Sequence, residues 1–140
     1  MVEIISGEKG KGKTKHMLAF VNKDISMIEG NIVYVDKSQK HMYELDSKIR
    51  LINIGDFPIN DTDEFMGFLC GMISQNTDIQ EIFLDSFLTI AYIDTAEGLC
   101  AAVDKLEVIS DTFSVKFIVS ISRNEVDLPA ELHDKIRVSL

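Results

Sequence analysis

The sequence predicts an α/β fold, a three-layer α/β/α sandwich with a mainly parallel sheet. Short β-branched runs alternate with longer segments in which apolar residues recur every three or four positions, as expected for strands alternating with helices. The short runs are largely apolar along their whole length, which indicates strands buried on both faces of a parallel sheet. The chain has 140 residues, 46% of them hydrophobic, enough for one domain (1–140) with its own core.

The first half of the chain contains three predicted strands and two predicted helices. Gly30 precedes the second strand, and Asp61 stands three residues before Glu64, a spacing that resembles a capping box at the start of a helix. Residues 39–48 are expected to form a short helix or a turn. The strands are predicted at 2–6, 31–36 and 50–54, and the helices at 13–23 and from Asp61 to about Ser74.

The second half continues the alternation. A helix is predicted over 95–109, and a short helical turn over 128–132. Strands are predicted at 79–84 and 116–122, with a last strand at 136–140. In parallel sheets of this kind ligands bind at the carboxyl ends of the strands. The loops that follow the strands are therefore where functional residues are expected.

Residues 7–14 read Gly-Glu-Lys-Gly-Lys-Gly-Lys-Thr and match the phosphate-binding pattern GxxxxGK[ST], the Walker A motif. Its glycines allow the backbone to wrap a phosphate with inward N–H groups. Lys13 would reach the β- and γ-phosphates, and the Thr14 hydroxyl would hold Mg²⁺. A strand before the motif and a helix after it are the context that the motif requires. The predicted nucleotide-binding residues are Gly7, Glu8, Lys9, Gly10, Lys11, Gly12, Lys13, Thr14 and Lys15.

A second segment, 81–86, is a hydrophobic strand that ends in Asp85-Ser86, the form of a Walker B segment. A strand beside the phosphate loop can deliver one carboxylate to Mg²⁺, directly or through water. The sequence thus predicts a metal site made of Thr14 and Asp85. A turn or helix-capping role for Asp85 is the alternative.

These segments resemble the RecA-like branch of P-loop NTPases. The resemblance is carried by Gly7–Thr14, Ile32–Asp36, Ile82–Ser86 and Phe117–Ser122. The chain also resembles small clostridial P-loop proteins of similar length, which open with a lysine-rich loop and are often labelled twitching motility protein. The resemblance implies a P-loop NTPase core that binds ATP with Mg²⁺ and acts as an ATPase in the cytoplasm.

One departure from the RecA-like pattern concerns the catalytic base. In that branch a Glu stands at the tip of the strand after the phosphate-loop helix, but here the Glu position falls on or near Ser38. Ser86 likewise follows Asp85 where a Glu would be the alternative. Asp36 and Glu8 are the remaining candidates. A missing base removes about 10²- to 10⁴-fold in rate, so hydrolysis is expected to be weak or stimulated by a partner.

The tip of the fifth strand carries Ser120, Ser122, Arg123 and Asn124. Asn124 or Ser122 would contact the γ-phosphate or the attacking water. Arg123 would stabilise the transferring phosphate, in its own subunit or in a neighbouring one. A homo-oligomer or a protein partner is therefore a predicted possibility, with an ordinary polar loop as the alternative. The predicted catalytic residues are Lys13, Asp36, Arg123 and Asn124.

The charge and composition of the chain argue against some classes of binding partner. The net charge of −9 and the pI of about 4.7 argue against nucleic acid, which attracts basic surfaces. The longest apolar run, 65–73, is too short to span a bilayer. No signal peptide is expected, since the first strand begins at residue 2. Cys70 and Cys100 are predicted to be reduced, as in cytoplasmic proteins.

Two other functions stay open at this stage. A small nucleotide or metabolite kinase also places a phosphate loop on a parallel sheet, but such kinases use a lid and several arginines, and this chain has three arginines. A non-hydrolysing interaction module would keep bound nucleotide as a structural ligand. A GTPase is disfavoured because no Asn-Lys-x-Asp motif follows Asp85.

Overall fold

Strands and helices alternate along the chain in the computed structural model, which describes residues 1–140. The strands are β1 Val2–Ser6, β2 Asn31–Asp36, β3 Arg50–Asn53, β4 Ile79–Leu84, β5 Lys116–Ile121 and β6 Ile136–Ser139. The helices are α1 Lys13–Asp24, α2 Thr62–Gln75, α3 Phe87–Ile90 and α4 Ala96–Phe113. Short 3₁₀ segments occupy Met42–Glu44, Ile54–Asp56, Glu125–Asp127 and Ala130–Lys135.

All six strands form one parallel sheet in the order β3-β2-β4-β5-β1-β6. Every strand predicted from the sequence is present, and the mainly parallel sheet is confirmed as fully parallel. Strand β5 lies between β1 and β4, so the two strands that precede the proposed phosphate and metal ligands are second neighbours. Parallel strands are about 4.8 Å apart, so the ends of β1 and β4 are separated by about 10 Å.

Helices cover both faces of the sheet, which confirms the predicted α/β/α layering. Successive strand residues point to opposite faces: Ile4 and Val33 join the core beneath α2, α3 and α4, whereas Ile5 and Tyr34 join the core beneath α1. The first core has 28 buried residues and the second has nine. No helix is long and apolar enough to cross a membrane.

The helices begin in two different ways. The Asp61 side chain accepts a hydrogen bond from the Glu64 N–H (2.8 Å), and Glu64 accepts one from the Asn60 N–H, so the resemblance to a capping box is confirmed. Thr95 caps α4 through the Gly98 N–H. Helix α1 begins after Gly12 with no capping side chain. Helix α1, which follows the phosphate-loop motif, is the longer of the two helices that begin without a capping side chain.

Two helices differ from the sequence-based expectations. Helix α3 was not predicted, because four residues are too few to show a helical period; its Phe87 and Ile90 are nevertheless buried in the larger core. Helix α4 continues four residues beyond the predicted end to Phe113 and stops at Ser114. Ser114 adopts a left-handed conformation (φ 57°), which ends a helix.

Candidate functional site

The carboxyl ends of β1, β2, β4 and β5 meet at a cleft of about 670 Å³. No hydrophobic side chain lines it. The lining residues are Lys9, Gly10, Gly12, Lys13, Thr14, Asp36, Lys37, Ser38, Lys40, His41, Asp85, Ser86, Thr89 and Ser122. A cleft of this size with wholly polar walls suits a charged ligand.

The loop between β1 and α1 forms one wall of the cleft. Gly10 and Gly12 both adopt left-handed backbone conformations (φ 87° and 91°), which favour glycine. The Lys11 N–H donates to the Glu8 carbonyl and closes a turn inside the loop. Because α1 has no capping side chain, the N–H groups of its first turn are left for an outside acceptor. Such an end attracts anions.

Lys13 is a buried cation in this wall. Its side chain is 8% exposed, and its ammonium donates to the Glu8 carbonyl at 3.0 Å. Burial lowers the pKa of Lys13, while the charge of Asp85 acts in the opposite direction. No carboxylate forms an ion pair with Lys13. A bound anion would supply the counter-charge that the protein does not.

Asp85 follows β4 on the opposite side of the cleft and is 2% exposed. Both of its oxygens accept hydrogen bonds from hydroxyls: the Tyr34 hydroxyl donates to Oδ2 at 2.7 Å, and the Ser120 hydroxyl donates to Oδ1 at 2.6 Å. The Ser86 N–H donates to the Ser120 oxygen in turn. Burial, with Asp85 adding to it, raises the pKa of Tyr34, so Tyr34 stays a donor. These contacts fix the orientation of the Asp85 carboxylate.

Asp36 ends β2 and also lines the cleft, at 3% exposure. Its Oδ1 accepts the Lys37 N–H at 2.7 Å, whereas its Oδ2 is buried without a hydrogen-bond partner. Burial raises the pKa of Asp36, and the charge of Asp85 adds to the rise. A buried acceptor of this kind is stabilised by a proton, a cation or a donor from a ligand.

A second group of cations follows β2. Lys37, Lys40 and His41 line the cleft across from the phosphate loop, and neither lysine forms an ion pair. The ring of His41 contacts the Glu44 carboxylate at 2.6 Å. Sequence reasoning did not select the two lysines, because only the path of the chain after β2 brings them to the cleft. Their position directly after a strand was the available signal.

The structure brings some of the predicted residues together and leaves others outside. Lys9, Gly10, Gly12, Lys13, Thr14, Asp36 and Asp85 line the cleft, whereas Lys11, Lys15 and Arg123 are exposed and do not. Arg123 donates to the Ser122 carbonyl beside a different, smaller cavity.

The remaining predicted residues support the phosphate loop. The Asn124 amide donates to the Glu8 carboxylate at 2.8 Å and links the tip of β5 to the loop. Gly7 is buried, and a side chain at its position would meet Leu140 at 2.9 Å. These residues hold the loop without lining the cleft.

A divalent cation would need oxygens from a ligand in this cleft. No group of three or more His, Cys, Asp or Glu side chains is placed to hold a metal ion. Thr14 and Asp85 are available in opposite walls, and hard cations such as Mg²⁺ prefer oxygen ligands that include phosphates. The donors therefore fit a magnesium ion that arrives with a polyphosphate.

No family model matches the chain, and no curated protein matches it at a significant level. The function proposed below is therefore inferred from the geometry and charge of the cleft.

Proposed function

We propose that this protein is a RecA-like P-loop protein that binds ATP with Mg²⁺ in the cytoplasm and hydrolyses it slowly or with a partner's help. One observation carries the proposal: an uncapped helix start, a buried unpaired Lys13 and two buried carboxylates surround one wholly polar cleft. The uncapped helix start and the unpaired Lys13 cost stability in an empty cleft, and the phosphates of a bound triphosphate would compensate both.

The phosphate-binding pattern indicates how a triphosphate would lie in the cleft. The loop N–H groups cradle the α- and β-phosphates, and Lys13 reaches the β- and γ-phosphates. Thr14 and Asp85 would hold the magnesium ion, which would supply positive charge to neutralise the phosphates. Tyr34 and Ser120 keep the Asp85 carboxylate turned toward that position.

Asp36 is the group best placed to accept a proton during hydrolysis. Its carboxylate, which lines the cleft, would take a proton from water as the water oxygen bonds to the γ-phosphorus and the β,γ-bridging bond breaks, which leaves ADP and phosphate. The raised pKa of Asp36 means that its reactive, ionised form is lost as the pH falls through that value. The rate is therefore expected to rise with pH above the usual range of an aspartate.

A small-molecule kinase is the second candidate. Lys37 and Lys40 form a second set of unpaired cations in the cleft, after β2, which lies three strands from β1 in the sheet. Such a pair of cationic sets suits a donor and an acceptor. Phosphoryl transfer needs an organic acceptor, whereas hydrolysis needs only water.

Calorimetric titration with ATP, ADP and GTP, with and without Mg²⁺, tests the proposed function. We expect magnesium-dependent ATP binding that weakens by about 10- to 100-fold in Lys13→Ala, the usual effect of losing hydrogen bonds to a charged group. Lys11→Ala is the matched control, since Lys11 belongs to the same loop but lies outside the cleft. Absence of triphosphate binding, or full binding by Lys13→Ala, would contradict the proposal and favour an interaction module.

A further inference from the structure

A second cavity, of about 360 Å³, opens beside the cleft beyond the ends of β2 and β3. Its walls include Ile54, Phe57, Ile59, Asn60, Ile90 and Tyr92, which we call the aromatic groove. The groove and the cleft share Lys37 and Thr89 as lining residues, so the two cavities adjoin. Half of the groove's lining residues are hydrophobic, in contrast to the cleft. The groove therefore suits the organic part of a ligand and the cleft its phosphates.

The two aromatic side chains are held at the groove while they remain open to solvent. Phe57 is 42% exposed although its ring packs on Phe68 at 4.8 Å between centroids. Tyr92 is 52% exposed and has a left-handed backbone (φ 57°), which is uncommon for a bulky residue. The Thr62 hydroxyl fixes the backbone beside it by donating to the Ala91 carbonyl at 2.6 Å. The groove is preformed and presents aromatic surface to a ligand.

The order of the strands indicates which end of a nucleotide faces this groove. In the proposed complex the loop after β1 would hold the α- and β-phosphates, and Thr14 and Asp85 would hold the metal that neutralises the terminal phosphates. Strand β4, which precedes Asp85, lies two strands from β1 on the side of β2. The γ-phosphate is therefore directed toward β2, and the nucleoside leads away from it.

The groove accordingly lies beyond the γ-phosphate. Asp36 ends β2, and Lys37 and the groove follow on the side of β3. An in-line nucleophile approaches the γ-phosphorus from the side opposite to the leaving ADP. A molecule in the groove would approach from that side and pass Asp36, which lines the cleft.

We propose that the aromatic groove binds a phosphoryl acceptor, a nucleoside-sized aromatic or heteroaromatic alcohol, and that the chain transfers the γ-phosphate of ATP to it. The proposal rests on the proposed ATP-binding function and names the second substrate class. The volume of the groove lies in the range of small-molecule sites, about 300 to 1,000 Å³. A flat ring packs against Phe57 and Tyr92, with Asn60 available to orient it.

The chemical step needs no further reactant. The acceptor hydroxyl gives its proton to the Asp36 carboxylate while its oxygen bonds to the γ-phosphorus. The bond between that phosphorus and the β,γ-bridging oxygen breaks, and its electron pair stays on ADP. The products are ADP and a phosphate monoester, and Asp36 later releases its proton to solvent. Lys37, shared by both cavities, is available to neutralise the transferring phosphoryl group.

The test is ADP formation from MgATP with each of the four common ribonucleosides and with tyramine, compared with water alone. Mass spectrometry identifies the phosphorylated acceptor. At least one probe is expected to raise the rate by about tenfold or more, within the range of a positioned acceptor and base. An unchanged rate with every probe, in a protein that binds ATP, would overturn this inference and leave the ATP-binding proposal standing. Absence of ATP binding would overturn both.

Tyr92→Gly locates the acceptor within the molecule. Glycine suits the left-handed backbone at that position, so the variant removes the ring without adding strain. We expect the KM of the acceptor to rise by about fivefold or more, the effect of one lost aromatic contact, with ATP affinity unchanged. Tyr43→Ala is the control, since Tyr43 is 92% exposed and lines neither cavity. A matching loss of ATP affinity in Tyr92→Gly would place the nucleobase in the groove and overturn the inference.

Discussion

Charged side chains form ion pairs at the amino end of the sheet, whereas the lysines at the carboxyl end do not. At the amino end, Glu3 forms ion pairs with Lys116 and Arg137, and Glu107 forms ion pairs with Lys135 and the N-terminal ammonium. At the carboxyl end, the four lysines that line the cleft have no ion-pair partner. Ion pairs within the chain thus neutralise charges at the amino end, whereas the lysines of the cleft are left available for an anionic ligand.

One buried carboxylate at the amino end has no ion-pair partner. Glu81 lies near the amino end of β4, buried at 9% exposure, and its Oε1 has no hydrogen-bond partner. Glu81 lines neither the cleft nor the aromatic groove. An unpaired buried carboxylate therefore identifies a site only where other ligand-binding groups face the same space, as they do around Asp36.

Replacing the buried lysine should give the largest effect. Lys13→Met keeps the packing but removes the ammonium, so ATP affinity should fall by about 10- to 100-fold. The Tm of the free protein should stay the same or rise, because the substitution removes a buried charge without a counter-ion. Calorimetry and thermal unfolding of the same preparation measure both quantities. A large fall in Tm would mean that Lys13 stabilises the fold like the charges at the amino end.

The metal dependence is expected to change next most strongly. Asp85→Asn removes the charge that faces Mg²⁺ and leaves one of its two hydroxyl donors, Tyr34 or Ser120, without a matching acceptor. Addition of Mg²⁺ should strengthen ATP binding by about tenfold in the parent and by about twofold or less in the variant. The measurement is a magnesium titration at fixed ATP. Equal enhancement in the two proteins would remove Asp85 from the metal site.

Glu81, near the amino end of the sheet, should make the stability of the protein depend on pH. Burial raises its pKa to about 7, with Asp24 adding to the rise, against a usual value of 4.5. The folded state thus holds a proton that the unfolded chain releases, so stability falls as the pH rises from 4.5 to 7 and is level above.

Glu81→Gln should remove most of that slope and stabilise the protein at pH 8 by about 1–2 kcal/mol, after allowance for solvent screening. Urea unfolding at pH 5 and pH 8 checks this, with ATP affinity expected to stay constant. Equal stability of the parent protein at both pH values would show that burial does not raise the pKa of Glu81.

The smallest effect should come from the paired charges. Glu3→Gln breaks the ion pairs to Lys116 and Arg137, which are partly exposed, and should cost about 0.5–1 kcal/mol of stability. ATP binding should be unaffected, because Glu3 lies at the far end of its strand from the phosphate loop. Denaturant unfolding and calorimetry together test this, and any loss of ATP affinity would contradict the separation of the two ends.

The strands were predictable because burial on both faces gives each a continuous apolar run. The order of the strands was not, since any of these runs could neighbour any other until helices and connections are packed. Helix α3 left no periodic signal in four residues. The end of α4 was missed because Thr112 and Phe113 are exposed and do not extend the apolar stripe.

The candidate site was predictable where a motif placed the residues close in sequence. The loop before α1 and Asp85 belong to such motifs. Tyr34 looked like an ordinary buried strand residue, and only the neighbouring position of β2 and β4 brings its hydroxyl to Asp85. Lys37 and Lys40 depended on the path of the chain after β2. Contacts between distant segments carry no local pattern, so the structure was needed to find them.

The position of β1 in the sheet has a consequence for folding. Its two neighbours are β5 and β6, so Val2 pairs with Phe117 and Ser6 with Ser139. Strand β1 therefore stays unpaired until the C-terminal strands β5 and β6 have formed. Such pairing between distant parts of the chain is slow. Pulse-labelled hydrogen exchange should find the amides of β1 among the last to gain protection. The proposed affinity for nucleotide would then arise in a newly made chain only when folding is complete, so that ligand binding would mark a fully folded protein.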